Sequence, residues 1–164
     1  MKILRKLSVV LILLTTVILV VSCGGGGGGS ATGTVPSGSG SITLDPVAKV
    51  ISGSFTTTNV VNATLAHIHD GNLGVAGPVV VPLQQSSPGI WMVPANTVLT
   101  DAQIARLQAG GYYVNVHTAL NPSGEIRGQL NPDSITANKF DASLNLTQEV
   151  PTPTTPAGAT MGGY

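Results

Sequence analysis

Cysteine is almost missing from this 164-residue sequence: Cys23 stands alone. No disulfide within the chain and no thiolate metal site can therefore form. Aromatic residues make up only 4 %, so a core has to be built mainly from Val, Ile and Leu. Trp91, between Ile90 and Met92, reads as core or sheet edge rather than as a sugar-stacking platform. Basic residues are also scarce. Beyond residue 22 only Lys49, Arg106, Arg127 and Lys139 remain, against Asp45, Asp70, Asp101, Glu125, Asp133, Asp141 and Glu149, a net charge of −3. No basic stripe is left to neutralise phosphates, which excludes nucleic acid as an expected partner and also a polybasic membrane-binding face. The chain has no Gly-x-Ser-x-Gly nucleophile turn, and its glycine run Gly24 to Gly29 precedes neither a lysine nor a strand-to-helix turn that could hold phosphate. These absences predict a protein that is not an enzyme.

The one cysteine has an evident use. Lys2, Arg5 and Lys6 form a positive start, Leu7 to Val21 runs without a charge, and Val20-Val21-Ser22-Cys23 has the order of a bacterial lipoprotein processing site. The run of about 15 residues is short of the roughly 20 that span a bilayer. Residues 1–22 are thus expected to be a signal peptide, Cys23 a lipidated residue, and the membrane a partner reached through that lipid. Residues 23–33, dominated by glycine, are expected to act as a flexible tether. The predicted location is the bacterial cell envelope, facing the periplasm or the exterior.

Beyond the tether the chain changes to short runs rich in Val, Ile, Thr and Leu, separated by Gly, Pro, Asn and Asp. This spacing predicts an all-β fold, an antiparallel Ig-like or superoxide-dismutase-like β-sandwich. Strands are expected near Ser41–Leu44, Lys49–Thr56, Ala63–His69, Val79–Leu83, Ile90–Val93, Tyr112–Thr118 and Glu125–Leu130. One segment departs from the pattern: Thr100-Asp101-Ala102-Gln103 forms a capping box and Gly110-Gly111 a stop, which predicts one short helix from Asp101 to Ala109. Arg106 is expected on its surface side.

Two of the three histidines, His67 and His69, lie two residues apart in a strand and so share one face. The alternation of Val114 and Val116 sends Tyr113, Asn115 and His117 to the face away from the core. If the two strands meet, three imidazoles converge, a donor set that suits zinc or copper, with Asp70 or Glu125 able to add an oxygen or orient a ring. The plainer reading has His67 and His69 hydrogen-bonded at a strand end, and Glu125 paired with Arg127. The His-x-His pair resembles the copper side of copper–zinc superoxide dismutase, but the bridging histidine, further zinc ligands and disulfide have no counterparts here.

Four stretches in order carry a family resemblance: Ala66-His67-Ile68-His69-Asp70-Gly71, Val75 to Leu83, Gly111 to Thr118, and Asn121-Pro122-Ser123-Gly124-Glu125-Ile126-Arg127-Gly128-Gln129-Leu130. Together they resemble the CHRD domain, named from chordin, over roughly residues 32 to 132. The resemblance implies a β-fold found in a growth-factor-binding secreted protein and in bacterial anchored proteins of undefined role. A CHRD domain usually opens with Phe-x-Ala-x-Leu and then Gln-Glu-Val-Pro. Here that pattern stands at the other end, as Phe140-Asp141-Ala142-Ser143-Leu144 and Gln148-Glu149-Val150-Pro151.

The expected organisation is therefore a CHRD domain over residues 34–132, followed by residues 139–164. These read either as the opening of an incomplete second copy or as a strand that completes the first. Residues 139–150 are expected to fold back within the chain, or to exchange with a neighbouring molecule. The functional reading is a lipid-anchored binding or structural module of undefined ligand, the alternative being a copper- or zinc-binding protein with a His67, His69, His117 site.

Overall fold

The computed structural model describes residues 34–154. The signal segment, Cys23, the glycine tether and residues 155–164 lie outside the described residues. Among the described residues eleven strands and one α-helix are formed: β1 Ser37–Asp45, β2 Val50–Thr58, β3 Ala63–Asp70, β4 Val79–Pro82, β5 Gln84–Ser87, β6 Ile90–Met92, β7 Thr97–Val98, α1 Asp101–Gln108, β8 Tyr112–Thr118, β9 Ile126–Gln129, β10 Asn131–Pro132 and β11 Lys139–Asn145. All pairings are antiparallel, and one hydrogen-bonded path runs β4-β3-β8-β9-β11-β1-β2-β6-β5. The expected all-β fold with one short helix is what forms, as one antiparallel sheet in which β11 connects β9 to β1.

The core follows from alternation. Ile42 and Leu44 of β1, Ile51 and Phe55 of β2, Ala66 and Ile68 of β3, and Val114 and Val116 of β8 all point into one apolar cluster, with Trp91 beside them. Each large side chain buried there contributes about 1.5–3 kcal/mol. The glycines of β1 are fitted to this cluster. A Cβ on Gly40 would meet the Phe55 Cα and ring at 2.6 Å as well as the Ser54 carbonyl, so Phe55 lies over a strand stripped of its side chain. Gly40→Ala is expected to cost about 2–3 kcal/mol through overpacking. A urea midpoint equal to that of the wild type would refute this contact.

Residues 139–145 enter as a central strand. β11 pairs with β1 over seven registered positions, from Ser37 opposite Asn145 to Thr43 opposite Lys139, and meets β9 at Asn145 opposite Arg127. Phe140, Ala142 and Leu144 alternate into the core. After Asn145 the chain turns through a short 3₁₀ segment, Leu146–Gln148, capped by the Asn145 side chain, and the strand does not continue to Val150.

Two expectations need correction. The face of β8 that carries Tyr113, Asn115 and His117 is not open to solvent: all seven residues of the strand are buried. Loops hold down its polar side chains, since the Ser123 carbonyl accepts from Asn115 Nδ2 and the Tyr113 hydroxyl accepts from the Gly77 amide. Arg106 is partly exposed on the helix, as expected, and its Nε donates to Asp70 Oδ1 at 2.8 Å. Glu125 and Arg127 do not pair: Glu125 accepts from Thr118 Oγ1 and Asn121 Nδ2, whereas Arg127 lies over the Tyr113 ring at 3.4 Å.

Candidate metal centre

The site is built on the β3–β8 pair. Register places His67 opposite Asn115, His69 opposite Tyr113 and Leu65 opposite His117, so His117 is the diagonal neighbour of His67, within reach of a long side chain. The three imidazoles do converge: one ligand nitrogen from each lies within 4.8 Å of the others. His67 Nδ1 and His117 Nε2 are 3.0 Å apart. The ring centroids are 4.9 Å apart for His67 and His117, and 5.5 Å for His67 and His69. His69 and His117 are each 8 % exposed, and His67 is half-buried at the mouth.

Two backbone carbonyls set the chemistry of these rings. His69 Nδ1 lies 2.9 Å from the Gly77 carbonyl, and His117 Nδ1 lies 2.9 Å from the Pro122 carbonyl. A carbonyl oxygen only accepts, so both Nδ1 atoms carry hydrogen and both Nε2 atoms are acceptors, that of His117 accepting from His67 Nδ1. His69 Nε2 is buried and has no hydrogen-bond partner. Leaving such an atom unsatisfied costs about 1–3 kcal/mol. A carbonyl holding the far nitrogen of a histidine is the outer-shell arrangement that fixes tautomer and ring orientation in metal sites.

Electrostatics favour the same state. Burial lowers the pKa of all three histidines, helped at His69 and His117 by the neighbouring imidazoles and, at His69, by Arg127. For His117 the value falls to about 4. Neutral imidazole is the form that ligates a metal ion. Tyr113 stacks on His69 with the rings 8° from parallel, and Arg127 also lies over the Tyr113 ring. Arg127 itself donates to the Asn72 carbonyl, which ties loop 71–78 to the sheet beneath the histidines.

The titration has a testable sign. Folded His117 stays neutral down to about 4, whereas the unfolded chain protonates near 6.5. The unfolded state therefore binds more protons between these values. Stability of the metal-free protein is full above about pH 6.5 and is expected to fall by on the order of 2 kcal/mol as pH drops toward 4, after allowance for solvent screening. Urea midpoints of the wild type and of His117→Gln across that range check this. A fall of equal size in both proteins would show that His117 is not its source.

The other proposed donors are engaged elsewhere. Asp70 is held by Arg106, and Glu125 by Thr118 and Asn121; neither joins the histidine group. A surface cleft of about 550 Å³ between Leu73, Gln108, Gln129, Asn131 and Gln148 includes none of the histidines. Residues the sequence did not single out complete the site: Asn115, Tyr113, Arg127, Glu149 and the Gly77 and Pro122 carbonyls. The alternation of β8 was the one signal for Asn115 and Tyr113. Nothing in a sequence marks which carbonyl a ring will meet.

The model of the CHRD domain family matches residues 25–130, a stretch that contains all three histidines and both loops that fix them. The chain belongs to the CHRD domain family. No curated protein and no solved structure matches it. The CHRD match stops short of β11, so the strand between β1 and β9 and the Gln148-Glu149-Val150-Pro151 segment lie beyond it. The histidine group, by contrast, belongs to the CHRD domain proper.

Proposed function

We propose that this CHRD protein is a non-enzymatic, lipid-anchored binding module of the bacterial cell envelope whose ligand is a transition-metal ion, copper or zinc, taken by His67, His69 and His117. The observation that carries the reading is the bare, buried Nε2 of His69, facing two further imidazoles with its own Nδ1 tied to a carbonyl. His67 Nδ1 and His117 Nε2, 3.0 Å apart, can both reach one ion at about 2.0–2.1 Å once the His67 proton is carried on Nε2, and the ligand nitrogens of all three rings lie within 4.8 Å of one another. Imidazole ligands suit copper and zinc alike, and intrinsic affinity runs in favour of Cu²⁺. His67, at the mouth, leaves a fourth position open to water or to an external donor. The anchoring part of the reading rests on Cys23 and its flanking pattern.

Titration of the purified, metal-free chain from residue 23 onward with Cu²⁺ and with Zn²⁺ tests the metal reading. A stoichiometry of one ion per chain is expected, with nitrogen hyperfine structure in the copper electron paramagnetic resonance spectrum. The same weak binding by wild type, His67→Ala and His117→Ala would sink the reading.

A further inference from the structure

Next to the histidines lies a second group of buried polar atoms that metal binding does not use. Glu149 is 3 % exposed and Asn115 is 2 % exposed. Asn115 Nδ2 donates both to the Ser123 carbonyl and to Glu149 Oε1, each at 3.2 Å. Both partners are acceptors, so the orientation of the amide is fixed. Its Oδ1 and the second carboxyl oxygen, Glu149 Oε2, are both buried without a partner. Both also border Gly124, since a Cβ built there would collide with each. Two bare acceptors side by side repel each other unless a proton lies between them.

We propose that Glu149 is held as a neutral carboxylic acid in a cyclic acid–amide pair with Asn115, Oε2–H donating to Oδ1 and Nδ2–H to Oε1, and that this pair positions the loop that fixes His117. The alternative, an ion pair with Arg127, is not what the geometry shows. Arg127 on β9 is the charged side chain that faces Glu149, yet its Nε and Nη1 atoms bond nothing, its Nη2 goes to the Asn72 carbonyl, and its face lies on Tyr113. Burial acts in the same direction, raising the Glu149 pKa against the opposing effects of the Val150 amide, Arg127 and Asn115.

The positioning role follows from the bonds in order. Glu149 holds the Asn115 amide, that amide holds the Ser123 carbonyl, and the preceding residue, Pro122, supplies the carbonyl that keeps hydrogen on His117 Nδ1. The C-terminal segment is thereby linked to the histidine group across three side chains. The consequence for ligand binding rests on the metal reading above; the protonation of Glu149 does not.

The experiment uses the metal-free protein, so its failure is distinct from a failure to bind metal. Infrared spectra of wild type and Glu149→Gln near neutral pH are compared, together with the thermal midpoints of Glu149→Gln and Glu149→Ala. The His117 tautomer is read by nitrogen NMR in all three proteins. A protonated-carboxyl band present in the wild type and absent from Glu149→Gln is expected. Glutamine reproduces the cyclic pair, donating from Nε2 and accepting at Oε1, so its midpoint and the Nδ1–H tautomer should match the wild type. Alanine should lower the midpoint and mix the tautomers. Absence of the carboxyl band, or a glutamine variant as damaged as the alanine one, would overturn the proposal. If Glu149→Ala does not fold, the infrared band and the glutamine variant still decide it.

Discussion

Ending the chain at residue 138 is expected to abolish cooperative folding. The lost segment is a central strand, and its removal separates β1 from β9 and leaves both with unpaired backbone groups. It also takes Phe140, Ala142 and Leu144 out of the core, where they are 2 %, 5 % and 1 % exposed. Phe140→Ala alone is expected to cost about 3–5 kcal/mol, which for a domain of this size lowers the thermal midpoint by about 10–20 °C. Circular dichroism melts of the shortened chain and of Phe140→Ala measure both effects. A shortened chain that melts at the wild-type temperature would mean that β11 adds nothing to the fold. One that folds only as a dimer would mean that copies supply one another's edges.

The second large effect is expected at His117. Replacing it by alanine should weaken copper binding at least about a hundredfold, or roughly 2.7 kcal/mol. His117 is buried, its tautomer is set by Pro122, and its Nε2 lies 3.0 Å from His67 Nδ1, so its loss removes a nitrogen already held in place. His69→Ala should be of similar size, because the Gly77 carbonyl holds that ring in the same manner. His67→Ala should lose less, since the half-exposed ring stands where solvent can ligate in its stead. Copper in hundredfold excess over its dissociation constant should stabilise the wild type by about 2.7 kcal/mol. Variants that lose affinity should lose this thermal shift in proportion. A copper-induced shift that persists undiminished in His117→Ala would place the ion elsewhere.

Much of the fold was legible because its strands alternate. Phe55, Ile68, Val114 and Val116 lie at two-residue spacing among polar neighbours, and β2, β3, β8 and β9 form where that pattern predicts. The helix was legible for a local reason: Thr100 and Gln103 form the reciprocal cap within four residues. β5 was not legible, since Gln84-Gln85-Ser86-Ser87 is polar and exposed throughout and extends only because β6 pairs with it. The start of β1 was hidden by Gly38 and Gly40, whose use depends on Phe55 and Ile126 from other strands.

At the site, the shared face of His67 and His69 could be read from spacing alone. The approach of His117 depended on the β3–β8 register, which the sequence does not state. What the sequence lacked altogether was the cover. The histidines were expected to face outward, but His69 and His117 are buried because loops 71–78 and 119–124 bring carbonyls down onto them, and His67 stays half-buried. Glu149 escaped notice for the same reason, since its partner Asn115 is 34 residues away and the two meet only after β11 has docked.

The central place of β11 has a consequence for the order in which the protein comes into being. The ribosome makes the three histidines well before the strand that separates β1 from β9. Until residues 139–145 emerge, β1 and β9 have no common neighbour, and Asn115 has no carboxyl to meet. The sheet therefore cannot close until residues 139–145 have been made, and the loop that fixes His117 gains its last support only then.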